Sequence, residues 1–312
     1  MPKPLTVFDR RRLVFGGAAA LLGASMLSGC DDPGQKAWVR RLLDKDEDAN
    51  LYVQRLLTSD RKLAPEFSEA ELSPWFKPNG TDDPKDKAYR ALVKSGFKSW
   101  RLTLDGLVER PQSWSLAELR DLKSRTQITR HDCVEGWSAI GKWTGVPLAD
   151  LLNAAGLKPS ARFVVFYCAD DMDQGGGLDA VAGGGDDGQS DDDASGTDAP
   201  ASGGHTKTKA PDAKVAKSGG GQGDAAQVGS HYYESIDLDD AFHPQTILAY
   251  EMNGEALPVA HGAPLRLRLE RQLGYKMAKY VMRIAVVDDL THIGKGGGGY
   301  WEDQGYEWYA GI

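Results

Sequence analysis

Apolar and polar residues alternate along Trp100-Arg101-Leu102-Thr103-Leu104, which predicts a strand closed by a turn at Asp105-Gly106. The same period-two or continuous apolar signal predicts strands over 127–130, 162–168, 232–236, 247–252, 265–269 and 279–287. Asn253-Gly254 directly after Met252 is a hairpin signal. In Leu265-Arg266-Leu267-Arg268-Leu269 the alternation puts both arginines on one face of a strand. Helical signals are few and short. Ser115-Leu116-Ala117-Glu118 is a capping box that starts a helix running to about Leu122. Pro147-Leu148 opens another, which Gly156 ends. Trp38, Leu42, Leu43, Leu51, Leu56 and Leu57 have the spacing of one or two amphipathic helices. Residues 64–98 are rich in Pro, Asp and Lys and read as a long wrapping loop, so 31–98 form a helical stalk and loop. Helices and strands do not alternate regularly, so the class is α+β with a mixed sheet, not a doubly wound one.

Two stretches stand outside that pattern. Residues 1–30 read as a targeting segment. Asp9-Arg10-Arg11-Arg12-Leu13-Val14 resembles a twin-arginine export signal, and the uncharged run from Leu13 to Leu27 is too short to span a membrane comfortably. Met26-Leu27-Ser28-Gly29-Cys30 resembles a bacterial lipobox, which makes Cys30 the lipid-anchored first residue of the mature chain. Asp31 resembles a retention signal at the inner membrane, so the expected place is the periplasmic face of that membrane. An uncleaved membrane anchor gives the same compartment. Twin-arginine export carries folded proteins, often with a cofactor already inserted. Residues 171–229 are dominated by Gly, Asp, Ala, Ser and Lys with no apolar period, the composition of a disordered insertion, with His205 solvated and inert. Its flanks read as one interrupted domain over 99–312.

Composition narrows the partners. The chain has 312 residues and a formal net charge of -8, which disfavours nucleic acid as a partner. Much of that acidity lies in the insertion, so the folded part is closer to neutral. With Cys30, Cys133 and Cys168 as its 3 cysteines, the chain cannot carry a disulfide framework.

Candidate chemistry concentrates at Thr129-Arg130-His131-Asp132-Cys133-Val134-Glu135-Gly136-Trp137, followed by Ser138 to Trp143; two Trp-capped, Gly-containing turns are expected after the cysteine. A thiolate here is a soft metal ligand or a nucleophile, and a buried free cysteine accounts for the residue equally well. There is no CxxC, HExxH, GxSxG or Walker loop, and the glycine run 296–299 precedes no helix. His261-Gly262-Ala263-Pro264-Leu265-Arg266 places a histidine and an arginine around a tight turn, with Arg271, Lys276 and Lys279 beyond it. An arginine fork suits phosphate. Ordinary charges on a strand edge account for the same residues.

Taken together, Arg130 to Pro147 followed by Leu148, Tyr250-Glu251-Met252-Asn253-Gly254, the His261 to Arg266 turn and Gly274-Tyr275-Lys276 resemble the sulfite oxidase family of molybdopterin enzymes. The resemblance covers roughly residues 75–312 without the insertion. Cys133-Val134-Glu135-Gly136-Trp137-Ser138 is most similar to the sulfoxide-reducing members, and the His261 turn and the 249–254 strand to the sulfite oxidases. It implies a sulfite-oxidase-like mixed-sheet fold that binds molybdenum-molybdopterin. Cys133 falls on the molybdenum-ligating cysteine. His261 and Arg266 fall on positions that hold the pterin and its phosphate, although the sulfoxide reductases carry Asn in place of His261. Met277, Ala278 and Lys279 fall on a pterin-contacting segment, and Cys168 on a cofactor-lining strand end. Asn79 matches a pterin-contacting asparagine, here flanked by Pro78 and Gly80 where basic residues are expected. Arg130 and Lys142 are candidates to attract a polar S–O substrate. The implied reaction is oxygen-atom transfer, as sulfite oxidation or S-oxide reduction. Neither an in-chain haem domain nor the C-terminal dimerisation domain of sulfite oxidases is visible. A monomer served by a separate haem redox partner in the membrane is therefore expected. The other class is a non-catalytic, lipid-anchored binding module that keeps the fold.

Overall fold

Strand pairing organises the chain into two five-stranded sheets. The computed structural model describes residues 51–53, 55, 62–173 and 228–312. It falls into two units, Met1–Leu57 and Thr58–Ile312; residues 51–53 and 55, in the first, are helical. The expected export signal, the cysteine expected to be lipidated, most of the predicted stalk and residues 174–227 of the predicted insertion lie outside the described residues. Both sheets belong to the second unit.

In chain order the strands of this unit are β1 (Arg101–Gly106), β2 (Gln112–Ser115), β3 (Arg125–Asp132), β4 (Ser138–Pro147) and β5 (Phe163–Asp171). They continue with β6 (His231–Asp237), β7 (Ile247–Met252), β8 (Glu255–Ala256), β9 (Arg266–Arg268) and β10 (Val281–Val287). The helices are α1 (Lys87–Lys94), α2 (Leu116–Asp121), α3 (Leu148–Ala155) and α4 (Leu238–Ala241). One sheet has the order β2-β1-β10-β5-β6; the other runs β3-β4-β7-β8, with β9 also on β7. Among the described residues only the β1–β10 pair is parallel, so the first sheet is mixed and the fold is α+β, as the apolar pattern predicts.

The alternation that predicts β1 also fills the core. Leu102 and Leu104 are fully buried while Arg101 and Thr103 face outward. They join Val164 and Phe166 of β5, Val286 of β10 and Leu248 of β7 in a cluster drawn from both sheets. Capped by Pro147 and ended at Gly156, α3 adds Leu148, Leu151 and Leu152 to the same cluster. Burying each such side chain contributes about 1.5–3 kcal/mol. A smaller cluster forms around Trp143, with Phe76, Ile247 and Met252.

Two elements depart from the pattern reading. The stretch 64–98 is not loop throughout, because α1 lies within it. The Asp86 carboxylate caps α1 by accepting from the Tyr89 amide at 2.7 Å, and the helix buries Tyr89, whose hydroxyl donates to the Ala263 carbonyl at 2.6 Å. Tyr89, Leu92 and Val93 do form an i, i+3, i+4 stripe, but the helix is only 8 residues long and lies among the Pro, Asp and Lys residues on which the loop reading rests. Of the two turns expected after Cys133, the one at Gly136-Trp137 is present, whereas Gly141 to Trp143 belong to one 10-residue strand over 138–147. Gly141 and Gly145 serve close approach rather than turning. A Cβ on Gly145 would overlap the Leu248 carbonyl of the neighbouring β7, and one on Gly141 would press on Phe76 and Trp143.

The predicted insertion interrupts a hairpin. Strands β5 and β6 pair antiparallel from Phe163↔Asp237 to Asp171↔His231. The strand therefore reaches Asp171, and Met172 and Val228 are buried beyond it, so both ends of the 171–229 segment belong to the folded body.

Gly145→Ala should therefore force β4 off β7 and cost about 1–3 kcal/mol. The check is a lowered urea midpoint; a midpoint equal to wild type would show that the strands can part at no cost.

Candidate active site

The alternation of β3 sends Gln127, Thr129 and His131 inward and Arg130 outward. After Asp132, which pairs with Ser138, the chain turns through residues 133–137. The Cys133 amide donates to the Trp137 carbonyl at 2.9 Å, and the Gly136 amide to the Cys133 carbonyl at 3.0 Å. Gly136 sits at φ 82°, a conformation in which a side chain is strained. The turn presents a nearly buried Cys133 thiol to a cavity of about 710 Å³, counting its open mouth. Burial raises the thiol's pKa, while the Glu135 amide N–H aimed at the sulfur lowers it. A metal ion reverses that balance, because its charge stabilises the thiolate far more than burial disfavours it.

Four cations lie behind this turn, and they differ in what neutralises them. Arg268 is fully buried and donates to both Glu270 oxygens at 2.9 and 2.7 Å. Lys276 is fully buried between Glu234 and Glu302, each at 2.6 Å. Arg266 is equally buried but donates only to the Asn79 side-chain oxygen at 2.9 Å and the His261 carbonyl at 3.2 Å. Lys279 donates to the Thr81 carbonyl and, at 3.2 Å, to that of Ala260. Neither Arg266 nor Lys279 forms an ion pair among the described residues. Burial, with Arg268 close by, lowers Arg266 to about 9. Burial and Arg266 lower Lys279 to about 7, against the pull of Asp170. A buried guanidinium and ammonium without a carboxylate cost several kcal/mol each, and an anion removes that cost. Arg266 Nε and His261 Nδ1 also lack partners. These residues fit a bound phosphate, and the adjoining thiol fits a soft metal.

Of the sequence-predicted residues, the cavity brings together Cys133, Asn79, Met277 and Lys279. Arg266 stands behind Asn79, and His261 packs its ring on Phe76 at 5.7 Å. The others stand apart. Arg130 is on the solvent face of β3, paired with Asp132 at 2.9 Å, and does not line the cavity; strand alternation decides this. Lys142 pairs with Glu69. Cys168 is buried in the main core and also absent from the lining; burial, then Asp170 and Glu234, raises its thiol pKa well above the ordinary value. Ala278 is buried in the same core, its carbonyl accepting from the Leu267 amide at 2.8 Å.

Sequence reasoning missed Asp170, Glu135 and an aromatic side of the cavity. Asp170 lines it from the end of β5 with Oδ1 unpartnered, and burial raises its pKa to about 7 despite Lys279. In the sequence it merges with the acidic run that follows. Trp301 and Tyr306 line the cavity from the C-terminal segment, and Tyr232 and Tyr275 from β6 and the turn before Met277. Their aromatic spacing is visible in the sequence, but their destination is not.

This combination of a thiol, a pair of anion-seeking cations and a mixed-sheet body describes a cofactor-binding oxidoreductase. The model of the oxidoreductase molybdopterin binding domain matches residues 90–182 and 203–292. The putative protein-methionine-sulfoxide reductase subunit YedZ1 of Azospira oryzae is 32% identical over 304 residues, covering 96% of this chain and 87% of that protein. The protein-methionine-sulfoxide reductase catalytic subunit MsrP of Ralstonia nicotianae is 26% identical over 291 residues, 91% of this chain and 71% of that one. The solved sulfane dehydrogenase SoxCD of Paracoccus pantotrophus is more remote, with TM-score 0.41 and 20% identity over 62% of this chain and 39% of that chain. The chain belongs to the molybdopterin-binding oxidoreductase family. It is an enzyme whose cofactor is molybdenum-molybdopterin, not a binding module that merely keeps the fold.

Asp170 lends itself to a pH test. Its folded pKa of about 7 stands above the ordinary 3.8, so its contribution to stability is present below about pH 3.8 and lost as pH rises through about 7. In cofactor-free protein, Asp170→Asn should make the fall in urea midpoint between pH 4 and pH 7 shallower. An unaltered slope would place the carboxyl in contact with water or an unseen cation.

Proposed function

We propose that this enzyme reduces S-oxides, taking the oxygen from sulfur, with Cys133 as the protein ligand of molybdenum. The observation that carries the direction is the division of charge along the cavity. Among the described residues its one lining cation, Lys279, is buried, with Arg266 behind Asn79. Its outer residues include Val134 and Tyr306, 43% and 40% exposed, and the carboxylate of Glu135. That carboxylate is held by the Trp137 indole N–H at 2.9 Å and by Lys77 at 3.0 Å, which cancels the Lys77 charge. A sulfite dianion would have to give up its hydration against an apolar entrance whose Glu135–Lys77 pair is already neutralised. A neutral S-oxide instead buries its organic groups there. Two relatives carry the name of protein-methionine-sulfoxide reductases, which supports the same direction.

The cofactor, when bound, supplies two-electron oxygen-atom chemistry. The chain's own part is ligation by Cys133, anchoring of the pterin phosphate by Arg266 and Lys279, and shaping of the pterin pocket by Asn79, His261 and Met277. Each S-oxide takes up two electrons and two protons as its S–O bond breaks, leaving the organic sulfide and one water. Electrons and protons must therefore both reach the cavity. The electrons come from a separate haem protein in the membrane. The export signal and Cys30 put the enzyme, as a lipid-anchored monomer, on the periplasmic face where that donor is reached.

Molybdenum-replete protein should oxidise a reduced viologen dye in the presence of an S-oxide and leave sulfite untouched with ferricyanide as acceptor. Sulfite oxidation without S-oxide reduction would reverse the direction. Cys133→Ser should abolish S-oxide reduction and change the visible thiolate-to-molybdenum absorption, with an unchanged denaturation midpoint. Cys168→Ser should keep both. Wild-type activity and absorption in a molybdenum-containing Cys133 variant would refute the ligand assignment.

A further inference from the structure

We propose that Trp301 and Tyr306, braced by Tyr275, form a substrate-side wall that selects among S-oxides by the organic groups on sulfur. The inference rests on the S-oxide reading above and assigns its specificity to particular residues.

Three observations support it. First, all three rings line the same cavity as Cys133. Tyr306 is 40% exposed and Trp301 half-buried, so apolar ring surface is left facing the entrance. Second, the rings are mutually fixed. Tyr306 stacks on Trp301 with centroids 5.3 Å apart and planes at 38°, and meets Tyr275 edge-on at 5.3 Å and 79°. The backbone closes the same unit, with the Tyr306 amide donating to the Trp301 carbonyl at 3.0 Å and the Tyr275 hydroxyl to the Glu307 carbonyl at 2.6 Å. Third, the wall is anchored from below. Glu302, next to Trp301, reaches the buried Lys276 ammonium at 2.6 Å, and Lys276 adjoins Tyr275. One ion pair thus ties both segments that carry the wall, and a second bond at 2.6 Å, from Lys276 to Glu234, ties them to β6.

A surface built this way is ordered before substrate arrives, so little entropy is lost on binding. Its chemistry suits one end of an S-oxide. The S–O dipole leaves its positive end on sulfur and the attached carbons, and those groups are attracted to the electron-rich faces of indole and phenol rings. The wall's three rings carry no formal charge to attract an anion. Larger substituents on sulfur bury more surface against the rings, so the wall discriminates by the size and apolarity of the substituent rather than by the S–O bond common to all substrates.

The test compares dimethyl sulfoxide with methyl p-tolyl sulfoxide as substrates of molybdenum-replete wild type, Trp301→Ala, Trp301→Phe and Tyr306→Ala, with rates expressed per bound molybdenum. The kcat/KM ratio of the tolyl to the dimethyl substrate should fall roughly tenfold in both alanine variants, chiefly through KM. Trp301→Phe should recover most of it. Tyr306 is exposed enough for its alanine variant to fold even if removal of Trp301 disturbs the core. A ratio equal to wild type in Tyr306→Ala and Trp301→Ala would overturn the wall while leaving S-oxide reduction intact. Wild type inactive on both compounds would overturn the reading on which the wall rests.

Discussion

The structure around the cavity depends on two arginines packed against one indole. Arg266 and Arg268 project from the same face of β9 onto Trp143, with guanidinium carbons 5.3 and 4.3 Å from the ring centroid. Two like charges buried side by side are tolerable only if something neutralises them. Arg268 has Glu270 on its own strand end. Arg266 has an amide oxygen, a backbone carbonyl and the ring face, none of which carries a charge. Arg266 is therefore the cation in this body that an anionic ligand would stabilise most, which is why the proposed phosphate site is placed on it.

That constraint explains several choices nearby. Trp143 can present its ring to the arginines because Gly141 and Gly145 let β4 lie tight between the ring and β7. The β3–β4 hairpin that holds Trp143 also carries Cys133 at its turn, so the thiol and the ring on which Arg266 packs are set by one piece of backbone. On the other side, the interrupted β5–β6 hairpin contributes Asp170, Met172 and Tyr232. The β5–β6 ladder is regular from Phe163↔Asp237 to Tyr167↔Tyr233 and shifts register before Asp171↔His231, beside the start of the segment.

Charge neutralisation also separates residues that look alike in the sequence. Lys276 and Lys279 are near neighbours, yet Lys276 is consumed by two carboxylates as a brace while Lys279 is left to face the cavity. Arg130 and His131 are adjacent, yet alternation sends the first to solvent and the second into the interior. His131 is held neutral there by burial and the surrounding cations, with Nδ1 3.3 Å from the Met277 sulfur.

The sequence by itself determined most strands, the capping box, the α+β class and the shared face of Arg266 and Arg268, because these follow from period-two patterning and local chemistry. The family motifs also pointed to Cys133, Asn79, Met277 and Lys279 before any of them could be seen on one cavity. Less legible were α1, whose short i, i+3, i+4 stripe sits in a Pro- and Asp-rich stretch, and the full length of β4, whose glycines mimic a turn. Only the tertiary structure decided that Arg130 and Cys168 stand off the cavity and that Asp170, Glu135, Trp301 and Tyr306 stand on it. The physical reason is that burial and counter-charge are set by residues far apart in the chain: Glu234, Lys276 and Glu302 meet within hydrogen-bond distance, and no local pattern records that meeting.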